Sequence, residues 1–308
     1  MPYIVGAGMA GLLAGKLLER RHHPVIFERQ SDLPNNHHAV LRFRTAVVGD
    51  AVGIPFKRVS LIKDVVVWRN PVADALAYSR KNSGIYQSDR SINAGFVSQD
   101  RFVAPPDFIK QLAFDLDIHY GSDFKFGSHT LNEPAVISTI PMPDLMKALD
   151  YKDVNLKFVY QEGCAFKATI ENCEAYVSLI IPDPEFQFSR VSITGNELIV
   201  ECPYPADDLN GVSESIIVKA AAMLGIDITD ISDITGPHPQ RYNKINPTNN
   251  ESRKQFIWWA TDRYNIYSLG RFATWRPGLL IDDLVKDINL IDQWITRRDR
   301  YGVAMHRS

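Results

Sequence analysis

The sequence predicts an α/β fold in two parts. One is a parallel-sheet domain assembled from both ends of the chain, and the other is an antiparallel sheet inserted between them. Three observations lead there. The first 28 residues read as strand, glycine-rich turn, helix and second strand. Between Tyr176 and Glu201, β-branched and aromatic residues gather around a turn signal. After Asn265 a strand, a glycine and a helix follow one another again.

Tyr3–Val5 is the first strand, followed by Gly6-Ala7-Gly8-Met9-Ala10-Gly11. Ala10 to Arg20 is a helix with Leu12, Leu13, Leu17 and Leu18 along it, and Pro24–Glu28 is the second strand. Ala135–Thr139 is a later strand, ending at Ile140-Pro141 before a short helix, Asp144–Leu149. Tyr176–Ile181, Phe186–Ile193 and Leu198–Glu201 are strands of the inserted sheet, the last two joined through Thr194-Gly195-Asn196-Glu197. Ser213–Leu224 is a helix stopped by Gly225. Asn265–Leu269 is the last strand. The final helix, from about Leu279 to Trp294, carries the apolar stripe Leu280, Leu284, Ile288 and Ile291.

Composition narrows the function classes. The chain has 308 residues, 45% hydrophobic and 23% charged, with a formal net charge of −2. No global basic field exists to draw in nucleic acid or an anionic membrane. Cys164, Cys173 and Cys202 form no CxxC pair, which argues against zinc and redox-disulfide sites and fits a reducing compartment. Apolar runs stay far below the roughly 20 residues of a membrane span. The first strand begins next to Met1, so no signal peptide is expected. The expectation is a cytoplasmic protein. His22-His23 and His37-His38 lack the spacing of converging metal ligands, so no metal is expected.

The N-terminal unit has the parts of a Rossmann dinucleotide site. Gly6 allows the tight turn, Gly8 lets a pyrophosphate approach the backbone, and Gly11 lets helix and strand pack closely. The helix N-terminus offers free N–H groups to phosphate. Glu28, 20 residues after Gly8, stands where a carboxylate meets ribose hydroxyls. Arg29 follows it, but an acid at the ribose position opposes a 2′-phosphate. The extreme N-terminal location and the discontinuous architecture favour FAD over NAD.

Four segments are similar to the flavoprotein superfamily of amine oxidases, phytoene desaturases, protoporphyrinogen oxidases and UDP-galactopyranose mutases. They are Val5–Glu28, Val136–Met146, Tyr176–Arg190 and Ser268-Leu-Gly-Arg-Phe-Ala-Thr-Trp275. The resemblance implies FAD held by Gly6 to Gly11, Glu28 and Arg29; His38 stands where the chain passes the cofactor, and Arg42 or Arg44 is the candidate for the diphosphate. It also implies Gly270-Arg271 at the isoalloxazine, Arg271 stabilising negative charge at the N1–O2 edge. The sequence departs from these families in two places. Leu33-Pro-Asn-Asn-His-His38 stands where they carry a Gly-Gly pair, and Pro277 and Leu279 replace the tyrosine and acid of the mutases.

The resemblance implies an FAD-dependent oxidoreductase, removing hydride from the C–N bond of an amine or amino-acid-like group, or from a C–C bond. Oxygen or a partner would reoxidise the flavin. The candidates at the reaction are Lys244, Trp275 and Arg190, with core packing the competing role for Trp275 and solvation that for Lys244. The substrate is a small molecule or an amine borne on a larger one, for which the basic run from Arg297 is a candidate dock. Two other readings belong beside it: a sugar-nucleotide mutase with Arg190 and Arg276 clamping a diphosphate, and a non-enzymatic escort on the same fold. Residues 1–50, 100–150 and 226–308 are assigned to the FAD-binding domain, and 51–99 and 151–225 to the substrate domain.

Overall fold

The computed structural model describes residues 1–33, 41–87, 95–126, 131 and 134–305, of which 298–305 as helix backbone alone. Five short strands, β1 (Tyr3–Val5), β2 (Val25–Phe27), β6 (Asp117–His119), β7 (Val136–Ser138) and β13 (Ile266–Ser268), form a sheet in the order β13-β7-β1-β2-β6. All its pairs are parallel, with Tyr3 opposite both Val25 and Val136. A parallel sheet is stable when both faces are covered, and the alternation here does that. Ile4, Ile137 and Tyr267 pack on one side with α1 (Met9–His22), α2 (Val47–Val52), α4 (Phe108–Ala113) and α8 (Ile281–Met305). Val5, Val136 and Ile266 pack on the other with α5 (Met142–Ala148) and α7 (Asn250–Tyr264).

The second sheet has eight strands in the order β12-β8-β11-β10-β9-β4-β5-β3. They are β3 (Arg42–Phe43), β4 (Lys57–Val65), β5 (Val97–Val103), β8 (Tyr160–Ile170), β9 (Ala175–Ile180), β10 (Arg190–Gly195), β11 (Glu197–Cys202) and β12 (Ile231–Ile245). Only β4 and β9 run parallel. The hairpin β10–β11 turns at Gly195, whose φ of 68° suits glycine, with Thr194 opposite Glu197. One face is apolar: Phe166, Val191, Ile193 and Val200 pack against Ile216, Ile217 and Ala220 of α6 (Ser213–Met223). The opposite face mixes buried Val59, Leu61, Val65 and Ile199 with polar and charged residues, and α3 (Pro71–Ser83) is laid across part of it: Gln161 donates to the Lys81 carbonyl at 3.1 Å.

The segments 1–50, 100–150 and 226–308 contribute more than the parallel sheet. They also carry β3, part of β5 and β12 into the eight-stranded sheet. β3 links the two units, because Phe43 packs with Phe56 and Phe108 in the core beneath α1. Among the described residues no helix is long and apolar enough to cross a membrane, and no cluster of side chains could hold a metal ion.

Candidate dinucleotide-binding site

The three motif glycines meet different constraints. Gly6 has φ 99°, and a Cβ there would sit 2.4 Å from Thr139 Oγ1. A Cβ on Gly11 would lie 1.9 Å from the Gly6 carbonyl oxygen. Both positions are closed by the protein itself. Gly8 has an ordinary φ of −70°, and a Cβ there meets nothing within 4 Å. The protein leaves that space open, beside the uncapped first turn of α1, which carries no acidic residue to compete with an anion.

Glu28 is 8% exposed and faces this loop. Its Oε2 accepts the Ala7 N–H at 2.7 Å and its Oε1 accepts the Gln30 N–H at 2.8 Å. Each oxygen keeps lone-pair capacity for a hydroxyl donor. Thr139 braces the loop from the end of β7, its hydroxyl donating to the Val5 carbonyl at 2.8 Å. The motif reading did not single out Thr139. The signal was its place at the carboxyl end of the strand beside β1, the side of a parallel sheet where ligands bind.

Gly270 arrives at the same place from the other end of the chain. With φ 100°, it lies against α1's first turn, where its Cβ would be 3.1 Å from the Ala10 Cβ. The Thr274 N–H and hydroxyl donate to its carbonyl at 3.0 and 2.7 Å, fixing the turn after β13. Arg271 follows half-buried, its guanidinium carbon 5.9 Å from the Phe272 ring centre. The loop thus joins Gly6, Ala7, Gly8, Met9, Ala10, Gly11, Glu28, Thr139 and Gly270. These residues fit an adenine dinucleotide in its phosphate cradle and in its ribose acceptor.

Arg29 is exposed, and His37 and His38 lie outside the described residues. Arg44 is exposed, and its N–H reaches Asp282 Oδ2 at 3.4 Å. Arg42 points along the mixed face of the eight-stranded sheet, donating to the Val177 carbonyl at 3.1 Å. Arg190 stands on that face in a bidentate pair with Glu201, Nη2 to Oε1 at 2.5 Å. Burial pushes the Glu201 carboxyl up, but the Arg190 charge and hydrogen bonds outweigh it and hold the group below its usual range. Lys244, opposite Gln161 on β12, adds to that effect.

Trp275 is 1% exposed, and its indole N–H donates to the Asn246 carbonyl at 3.0 Å. It packs edge-on against Phe158 and Tyr242 in the core. Arg276 is committed to Asp287 of α8. At the end of α1, His22 and Arg21 meet Asp292 of α8 at 2.6 and 2.7 Å. Arg297 is exposed; the side chains of Arg298, Arg300 and Arg307 lie outside the described residues.

Residues 4–38 match the family model for an NAD(P)-binding Rossmann-like domain. No curated protein matches the chain. Among solved structures, a reduced UDP-galactopyranose mutase aligns over 96% of this chain and 93% of its own, with TM-score 0.66 and 14% identity. A CLA-producing fatty acid isomerase from P. acnes covers 96% and 98%, with TM-score 0.58 and 13% identity. A 2-methyl-3-hydroxypyridine-5-carboxylic acid oxygenase covers 99% and 91%, with TM-score 0.52 and 13% identity. The likeness is one of fold, and it extends over both sheets.

Proposed function

We propose that the chain is an FAD-dependent oxidoreductase that removes hydride from a C–N or C–C bond, with an amine or amino-acid-like group as the preferred substrate. The observation that carries the reading is the open space at Gly8, bounded by the first turn of α1, by Glu28 and by Gly270. Bound flavin would supply the hydride acceptor. The first-turn N–H groups of α1 and the room over Gly8 hold the diphosphate. Glu28 accepts from ribose while it keeps the Ala7 N–H satisfied. Arg271, carried in by the Gly270 turn, supplies the cation for the electron-rich edge of the ring. The mixed face of the eight-stranded sheet, with Arg190, orients the substrate. In this reading residues 51–99 and 151–225 make up most of the substrate domain.

The fold likeness to UDP-galactopyranose mutase supports a second reading, a sugar-nucleotide isomerase. The commitment of Arg190 to Glu201 and of Arg276 to Asp287 weakens the diphosphate clamp that reading needs. An anaerobic absorbance screen of the flavin-loaded protein separates the two. We expect bleaching by at least one amine or amino acid and recovery in air. Tight binding of a uridine diphosphate sugar by calorimetry, with no bleaching by any amine, would replace the first reading with the second.

A further inference from the structure

The mixed face of the eight-stranded sheet collects cations. Residues opposite each other across a sheet share a face. The register places Arg42 opposite Val103, Arg101 opposite Val59, and Lys63 opposite both Val97 and Ser178. Ser178 is opposite Ser192, and Arg190, two residues before Ser192, is opposite Glu201. Strands repeat every two residues, so Arg42, Arg101, Lys63, Arg190 and Glu201 all project from one side.

That side is poorly hydrated. Ser192 is fully buried, and Ser178 and Glu201 nearly so, the two hydroxyls lying 3.2 Å apart. Arg42, Lys63, Arg101 and Arg190 are each partly buried. Glu201 answers Arg190, whereas Arg42, Lys63 and Arg101 make no salt bridge with any described residue. Arg42 donates to a carbonyl, and Arg101 to Gln99 and to the Asp100 carbonyl. The patch is therefore a semi-buried positive surface with one compensating acid, Glu201, among the described residues. It begins at β3, the strand that joins the nucleotide-binding core.

We infer that this patch is a recognition site for an anionic group, carboxylate or phosphate, on the substrate, held by Lys63, Arg101 and Arg42 with Arg190 kept in place by Glu201. The inference rests on the flavoenzyme reading and names its substrate class. The geometry has an electrostatic counterpart. Burial first, then the charges of Arg101, Arg42, Arg190 and Arg44, lowers the Lys63 ammonium to about 8. Burial and Arg190 lower Arg42 to about 10, against a partial opposing pull from Glu201. Gathering cations in this way is unfavourable, and a bound anion relieves it. Arginine forks on β3 and β5 and a lysine on the neighbouring β4 suit a planar or tetrahedral oxyanion.

The test uses the full chain, flavin-loaded and flavin-free, titrated with succinate and with inorganic phosphate against chloride at equal ionic strength. Thermal midpoint and calorimetry are the readouts. We expect one of the two anions to bind and raise the midpoint, its identity deciding between carboxylate and phosphate. Lys63→Gln and Arg101→Gln should each weaken that binding about tenfold or more, the loss of one charge-assisted hydrogen bond. Flavin content should not change, and the unfolding midpoint without anion should be kept or raised. Equal behaviour of succinate, phosphate and chloride would overturn the inference. So would variants that bind the anion as the unmodified protein does, or that lose FAD while anion binding is untouched, since the cations would then belong to the cofactor. Anion binding in a protein that takes up no flavin would sink the flavoenzyme reading and leave the anion site standing.

Discussion

Gly8→Ala separates a residue needed for folding from one needed for a ligand. The backbone at Gly8 has φ −70° and ψ 179°, which alanine adopts freely, and the added methyl meets nothing within 4 Å. The flavin-free protein should keep its stability to within about 1 kcal/mol, since an alanine is slightly worse at an N-cap but reduces the freedom of the unfolded chain. Binding is another matter. The methyl occupies the room between the first turn of α1 and a diphosphate, and displacing one phosphate oxygen removes a charge-assisted hydrogen bond worth about 1.5–3 kcal/mol. That is roughly a 10- to 100-fold rise in the FAD dissociation constant. Gly11→Ala is the contrast. Its methyl would fall 1.9 Å from the Gly6 carbonyl oxygen, so the cost is at least about 3 kcal/mol of folding with or without ligand. Urea unfolding of the flavin-free variants, paired with FAD titration calorimetry, reads both numbers. Unchanged FAD affinity in Gly8→Ala, or a loss of stability as large as that in Gly11→Ala, would show that the space at Gly8 is not kept open for a ligand.

Other expectations follow from the same geometry. Glu28→Ala strands the fully buried Ala7 N–H and frees the more exposed Gln30 N–H to water, so it should cost about 2–4 kcal/mol in urea unfolding even without FAD; a loss below about 1 kcal/mol would mean that the carboxylate does not brace the loop. Lys81 is buried, donates to the carbonyls of Ile181, Asp183 and Phe188 at 3.2, 2.6 and 2.7 Å, and is lowered by burial from 10.5 to about 8. Between those values the unfolded chain holds the proton that the folded chain releases. Raising the pH through that window should therefore stabilise the protein relative to Lys81→Met, by up to about 1.4 kcal/mol per pH unit. A stability difference that stays constant from pH 7.5 to 10 would contradict this. Trp275→Ala should lower stability by about 3–5 kcal/mol, while Trp275→Phe, if folded, should leave the substrate dependence of turnover unchanged.

The βαβ unit was legible because local chemistry fixes it. A strand too short to stand alone, glycines where a Cβ has no room and an acid at the end of β2 all lie within 28 residues. The hairpin at Gly195 was legible for the same reason, since its turn requires the left-handed region. What escaped depends on distant pairing. β12 contains Pro237 and Pro239 and breaks register with β8 three times, so it shows no alternation. α7 buries only Ser252, Phe256 and Ala260, a stripe too narrow to stand out against Trp258 and Trp259. α3 did carry readable signals, with Asn70 capping Ala73, Pro71 in the first turn and Gly84 at φ 73°. Among site residues, Glu28 and the glycines follow from spacing. The gathering of Arg42, Lys63, Arg101 and Arg190 does not, because it arises only when β4 pairs in parallel with β9 and brings separate segments into one sheet.

The most direct measurement of the central claim is the flavin content of the purified full chain, by absorbance before and after heat release, followed by FAD titration of the stripped protein. We expect about one non-covalent FAD per chain, released on denaturation and rebound on reconstitution, with NAD failing to displace it. A colourless protein that takes up no FAD, and whose unfolding midpoint FAD does not raise, would contradict it.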